Sequence, residues 1–417
     1  MLSLFPPTFK GRPNGMRVDL AEALQEMGPS FFRFPGGNNL EGQTVATRWQ
    51  WNATVGPLLN RPGRMGDWSY INTENTSGIG LMEYLEWCED LNMIPIMGIW
   101  AGYALGGTSV PQNQLGPYIQ QAADQINFVI RDPARSAAAA LRASLGRTQP
   151  FSLKYVEVGN EVLKDFFAAT SYVYRWREFV TALQAQFPSI HFIATTNTFN
   201  PVLTPNPTEY DVHVYQTPTW FAQNSFFYDG FQVSGFLFLS FAYIMMSLCN
   251  RQRNGTKYFE GEYAAISTNR NDIFDPPSNG RLVYPTMQNA AGEAAFMTGL
   301  ERNGDIVCAA AYAPLIGHPA LQNWNPLLEC RPQELGKSNH YKDFEHGHIC
   351  CSTDLRSSLR ERRFKWKRTG PYGWSTTSNT PSSPNAIVPI TSTVATGKMF
   401  NYNAPPVSVS VLTFAAS

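Results

Sequence analysis

A parallel α/β barrel of the TIM type is the fold this sequence predicts, and three observations predict it. Short apolar β-type runs alternate with stretches of helical periodicity, which is the mark of parallel strands joined by helices. The alternation repeats over nearly 300 of the 417 residues, long enough to bury a large core. Two of the runs close on acids, Gly159-Asn160-Glu161 and Glu260-Gly261-Glu262-Tyr263. Acids at strand ends fall on the catalytic face of a barrel.

The β-type runs lie near 30–34, 93–99, 153–158, 190–196, 210–215, 257–262 and 305–312. Each is rich in Val, Ile, Phe and Tyr. Helical patterns fall at about 17–27, 79–91, 116–145, 171–187 and 288–302; the last carries Ala, Met and Leu at i, i+3, i+4 spacing. Seven strands are one short of a closed (β/α)8 barrel. Because the helix at 17–27 precedes the first run, the expectation is a barrel lacking its first strand, which would lie before Met1.

Residues 233–252 interrupt the pattern. Phe236 to Leu248 is apolar almost throughout, yet too short for the ~20 residues that span a bilayer. The sharp change of composition at both ends reads as a retained intron in the gene model. Between 329 and 369 basic residues, His, Cys and Ser crowd together without periodicity, as in a misframed exon. From 370 to 417, runs such as Val407-Ser408-Val409-Ser410-Val411-Leu412 alternate well enough for the remnant of a C-terminal β-sandwich. The expected organisation is thus a barrel over 1–328 with an apolar insertion, an irregular segment, and a sandwich fragment.

Charge narrows the function. The 32 basic and 32 acidic residues cancel, and charged residues make up 15% of the chain. No electrostatic footprint for nucleic acid or an anionic membrane follows, and a neutral partner does. Ten Trp and eighteen Tyr supply ring faces of the kind that cover sugars, although most rings of any chain serve the core. The six cysteines show neither paired nor metal-ligand spacing, and His346, His348, Cys350 and Cys351 fit no zinc pattern. No metal and no cofactor are expected. Sequons stand at Asn52, Asn75 and Asn254. Residues 1–7 lack the charged start and apolar stretch of a signal peptide.

Two strand-end glutamates suit glycoside hydrolysis. One carboxylic acid protonates the departing glycosidic oxygen while a second carboxylate attacks or activates water. Taken singly, either acid reads as well as a helix cap or a surface residue; the two motifs together favour the catalytic reading.

Phe34-Pro35-Gly36-Gly37-Asn38-Asn39, Gly159-Asn160-Glu161, His213-Val214-Tyr215 and Glu260-Gly261-Glu262-Tyr263 stand in this order, each at an expected strand end. On these motifs the chain resembles the fungal α-L-arabinofuranosidases of glycoside hydrolase family 51, from Ser3 to about Pro326 and again from near Trp374 onward. The resemblance implies a retaining hydrolase that removes terminal α-L-arabinofuranosyl units from arabinan, arabinoxylan and related oligosaccharides of the plant cell wall, secreted in its full-length parent. It implies Glu161 as acid/base and Glu262 as nucleophile, with carboxyls about 5–5.5 Å apart. Burial and the charge of Glu262 are expected to keep Glu161 protonated at rest. By the same resemblance Asn160 binds the sugar 2-hydroxyl, Tyr215 orients the nucleophile, and Asn38 binds sugar hydroxyls. His213 belongs to the same substrate-binding set, and Trp100 is a candidate stacking ring or a packed one.

Departures accompany the likeness. Family members carry a further strand and a β-rich domain before this region, and run from the acid/base almost directly into Asp-Phe-Phe; Val162 to Lys164 reads as inserted. Two rival readings follow: an inactive truncated or mis-spliced homologue, and another retaining glycosidase of the same barrel superfamily.

Overall fold

The computed structural model describes residues 6–66, 74–161, 166–198, 200–231, 253, 255–313, 316–317 and 329–330. One sheet holds seven strands in chain order: β1 (Phe31–Phe34), β2 (Ile94–Ile99), β3 (Tyr155–Val158), β4 (His191–Ala194), β5 (Glu209–Gln216), β6 (Lys257–Ala265) and β7 (Val307–Tyr312). These are the seven runs read from the sequence. The ladders from β1 through β5 are parallel, with Phe31 opposite Ile94, Ile96 opposite Tyr155, Tyr155 opposite His191 and Ile193 opposite Glu209. Parallel neighbours in sequential order are the wall of a (β/α) barrel.

Beside a one-turn helix at Asn38–Glu41, the α-helices of the described residues are α1 (Val18–Met27), α2 (Leu81–Leu91), α3 (Gly116–Ile130), α4 (Ala137–Ser144), α5 (Phe166–Gln186), α6 (Pro218–Gln223) and α7 (Met287–Arg302). Their ends follow local chemistry. Gly28 and Asn92 close α1 and α2 in the left-handed conformation, and Thr217 and Thr286 cap α6 and α7 through their hydroxyls.

One helix expectation is corrected. The pattern at 116–145 is two helices, broken after Ile130, where Arg131 turns extended before Asp132-Pro133. Proline disfavours a helical residue before it, and Ser136 starts α4 by accepting from the Ala139 N–H. Arg142, fully buried, then donates to the carbonyls of Val129 at 3.1 Å and Arg131 at 2.9 Å, so α4 supplies donors to carbonyls at the end of α3. A second correction concerns β6, which runs three residues past Glu262 to Ala265, so Glu262 lies inside the strand.

The chain divides into two units, Met1–Val212 with Phe231–Phe259, and His213–Gly230 with Glu260–Ser417. In the first, α2 packs Leu81, Leu85 and Cys88 inward while Phe32, Phe34, Tyr84 and Trp87 form a ring cluster with centroids 5.3–6.2 Å apart. In the second, Phe221, Phe296 and Tyr263 make the corresponding aromatic contacts between α6, α7 and β6. Gly292 on α7 permits close approach there, since a Cβ would fall 2.3 Å from the Pro218 carbonyl oxygen.

The expected insertion at 233–252, the sandwich remnant at 370–417, the Val162–Lys164 loop and the His/Cys group at 346–351 lie outside the described residues. Of the 329–369 stretch only Glu329–Cys330 are described, as a short strand parallel to Ile316–Gly317. No helix of the described residues is long and apolar enough to cross a membrane.

Candidate active site

The first unit gathers its polar groups beyond the end of β3. Val158 is the last strand residue, and the chain leaves it through Gly159 at φ 89 and Glu161 at φ 38. A left-handed backbone is ordinary for glycine and strained for glutamate; such strain of roughly 1–3 kcal/mol persists where the surroundings over-determine it. Tyr172 on α5 supplies part of that determination. Its hydroxyl donates to the Val158 carbonyl at 2.6 Å and accepts from the Thr195 N–H at 3.2 Å, tying the ends of β3 and β4 together.

Asn160 is 1% exposed. Its Oδ1 accepts from Arg33 Nη2 at 2.8 Å, and its Nδ2 donates to Glu41 Oε2 at 3.3 Å and Asn38 Oδ1 at 3.4 Å. Asn38 and Glu41 bound the one-turn helix after Gly36-Gly37, where both glycines take positive φ. Two of the expected substrate-binding residues, Asn38 and Asn160, are therefore in contact.

Beneath Asn160 lies an ionic group that the sequence reading missed. Arg33 on β1 grips Glu157 on β3 with two parallel bonds of 2.6 and 2.7 Å and reaches Asp211 on β5 at 3.4 Å. All three side chains are buried. Burial pushes the Glu157 carboxyl well above the ordinary range; Arg33 pulls it down and the Asp211 charge pushes it up again. The signal was present: Arg33 stands between phenylalanines and Glu157 between valines. A charge inside an apolar barrel strand needs a partner.

Trp100, 5% exposed, follows β2. Its indole N–H donates to the Glu41 carbonyl at 3.3 Å, the Arg48 guanidinium lies 5.1 Å over its ring, and the Tyr118 ring meets it edge-on at 5.0 Å. These contacts pack the ring against Glu41, Arg48 and Tyr118.

In the second unit Glu262 is 8% exposed. Tyr215 near the end of β5 donates its hydroxyl to Glu262 Oε2 at 2.6 Å, and His213 Nδ1 lies 3.5 Å from the same oxygen. A short hydrogen bond to a carboxylate is the strong kind and fixes its orientation. Behind it, Glu293 on α7 accepts from the Ala265 N–H at 2.7 Å, holding the end of β6, while burial pushes its own carboxyl up to about 8. Three expected residues, His213, Tyr215 and Glu262, are thus brought together here. Glu293 was not anticipated, since its signal is only an acid inside an Ala- and Met-rich helix.

A model of the alpha-L-arabinofuranosidase 1 domain matches residues 23–232, and one of the alpha-L-arabinofuranosidase C-terminal domain matches residues 261–346. The chain is 38% identical over 333 residues to a probable alpha-L-arabinofuranosidase A of Aspergillus terreus, covering 79% of this chain and 47% of that protein. It is 32% identical over 355 residues to an extracellular exo-alpha-L-arabinofuranosidase of Streptomyces chartreusis, covering 79% and 37%. The chain therefore spans about half the length, or less, of these curated relatives. Among solved structures, an arabinose-bound α-L-arabinofuranosidase of glycoside hydrolase family 51 matches with 53% identity and a TM-score of 0.79, over 97% of this chain and 67% of that one. The arabinose complex of the Thermotoga maritima enzyme, at 18% identity and a TM-score of 0.55 over 75% of this chain and 60% of that one, shares the fold. By its family-model match and the 53% identical structure, the chain belongs to the α-L-arabinofuranosidases of glycoside hydrolase family 51.

Proposed function

We propose that the protein hydrolyses terminal, non-reducing α-L-arabinofuranosyl linkages with retention of configuration, using Glu262 as nucleophile and Glu161 as acid/base. The observation that carries this reading is the Glu262 carboxylate oriented by the Tyr215 hydroxyl at 2.6 Å in a chain of this family. In the first step a Glu262 oxygen bonds to the anomeric carbon as the glycosidic C–O bond breaks, and Glu161 gives its proton to the leaving oxygen. In the second, Glu161 takes a proton from water, the hydroxyl oxygen bonds to the anomeric carbon, and the Glu262 ester bond breaks. This sequence requires the two carboxyls about 5–5.5 Å apart.

Asn160 and Asn38 would bind sugar hydroxyls, Asn160 more strongly as the oxocarbenium ion develops. Tyr215 and His213 would keep the nucleophile in line. The substrates proposed are arabinan, arabinoxylan and related oligosaccharides, met outside the cell; the extracellular description of the Streptomyces relative supports that location.

The test is a panel of nitrophenyl glycosides with proton NMR of the first-formed sugar. The expected result is turnover of the α-L-arabinofuranoside alone, with the α-anomer formed first. Release of the β-anomer would exclude double displacement, and preference for a pyranoside would move the protein to another activity of the superfamily.

A further inference from the structure

Asn160 sits between two neighbours that cannot exchange roles. A guanidinium only donates hydrogen bonds, so the edge of Asn160 that faces it must be the oxygen and the NH2 edge is left to Glu41. Arg33 faces Asn160 Oδ1 at 2.8 Å, and Glu41 faces Asn160 Nδ2 at 3.3 Å. The amide orientation is therefore dictated: turning it over would set N–H against guanidinium and carbonyl against carboxylate. Glu41 and Asn160 are 3% and 1% exposed, so water screens neither.

Glu41 is itself held. It ends the one-turn helix Asn38–Glu41, and its carbonyl accepts the Trp100 indole N–H at 3.3 Å. The second N–H of Asn160 goes to Asn38 Oδ1 at 3.4 Å, the longest of the three contacts. That bond is the one a sugar oxygen at ~2.9 Å displaces with least loss.

We propose that Glu41 is a positioning residue: it anchors the NH2 edge of Asn160 so that the N–H lent to Asn38 is passed to the 2-hydroxyl oxygen of the furanosyl substrate. The proposal rests on the arabinofuranosidase reading above. Glu41 acts through Asn160, so its contribution depends on the substrate carrying a 2-hydroxyl. Because that contact strengthens in the transition state, the effect falls on kcat more than on KM.

The experiment compares the unaltered chain, Glu41→Ala and Glu41→Gln on nitrophenyl α-L-arabinofuranoside and on its 2-deoxy counterpart, with thermal melts of all three. Glu41→Ala is expected to lose roughly 10–100-fold in kcat on the parent glycoside, the scale of a misplaced contact, and less than about 3-fold on the 2-deoxy substrate. Glu41→Gln, whose amide oxygen still accepts, recovers part of the loss. If Glu41→Ala does not fold, Glu41→Gln carries the comparison, with a smaller loss again confined to the parent glycoside. Equal losses on the two substrates overturn the positioning role and leave the enzyme reading standing. No turnover of either substrate by the unaltered chain overturns the reading on which both rest.

Discussion

Two buried acids stand behind the two clusters, and they are neutralised in different ways. Glu157, in the first unit, faces a guanidinium: Arg33 binds both its oxygens and also reaches Asp211. Glu293, in the second, faces a backbone N–H at the end of β6. The first arrangement keeps charge inside the fold and makes Asn160 part of an ionic network. The second holds its strand with a carboxyl that burial keeps protonated up to about pH 8. The lesson is that equal burial does not imply equal response. Burial raises both carboxyls, but Glu157 faces a cation, Arg33, whose removal takes the opposite charge from it and from Asp211.

Arg33→Leu should have the largest effect on stability, because it leaves Glu157 and Asp211 buried without their cation. A loss of about 3–5 kcal/mol is expected, read as a drop in the denaturant midpoint at pH 7. A loss under ~1 kcal/mol would mean the network is not ionic. Glu157→Gln in the Arg33→Leu background should return part of the stability, since one stranded charge is gone.

Tyr215→Phe should come next, acting on turnover and leaving the melt nearly unchanged. One hydrogen bond to a charged group contributes about 1.5–3 kcal/mol, which corresponds to roughly a 10–150-fold fall in kcat. An unchanged kcat would show that the Glu262 carboxylate keeps its orientation without this hydroxyl.

Glu293→Gln should have the smallest effect, visible only against pH. With its carboxyl raised to about 8 from an ordinary 4.5, Glu293 keeps in the fold a proton that the unfolded chain has lost. Stability from this group is therefore complete below about pH 4.5 and is lost as pH rises to about 8. The melting temperature of the unaltered chain should fall across that window, and Glu293→Gln should flatten the fall. A slope identical in both would assign the pH dependence elsewhere.

Much of the fold was legible because strand and helix periods repeat so regularly from Phe31 to Tyr312, and all seven sheet strands fall on the expected runs. The break between α3 and α4 was missed because an Ala-rich tract outweighed Pro133 in the periodic reading. Glu161 was singled out as the acid that closes the run from Tyr155, beside Asn160. Glu262 was found but placed at a strand end, since nothing in Glu-Tyr-Ala-Ala signals that Glu293 will hold the strand three residues further. Arg33, Glu41, Glu157 and Asp211 stayed hidden for a common reason: their meaning lies in partners 119 to 178 positions away along the chain for Glu41 and Arg33, which no local pattern reveals.

The most direct test of the two-glutamate account is to locate the sugar on the protein. Glu161→Ala should still be glycosylated by a nitrophenyl α-L-arabinofuranoside, whose leaving group needs little protonation, yet be slow to release the sugar for want of a base. Peptide mass spectrometry of the quenched reaction should then find a pentosyl ester on Glu262. A pentosyl adduct on any other residue, or continued rapid turnover with no adduct at all, would contradict the assignment of Glu262 as nucleophile and Glu161 as acid/base.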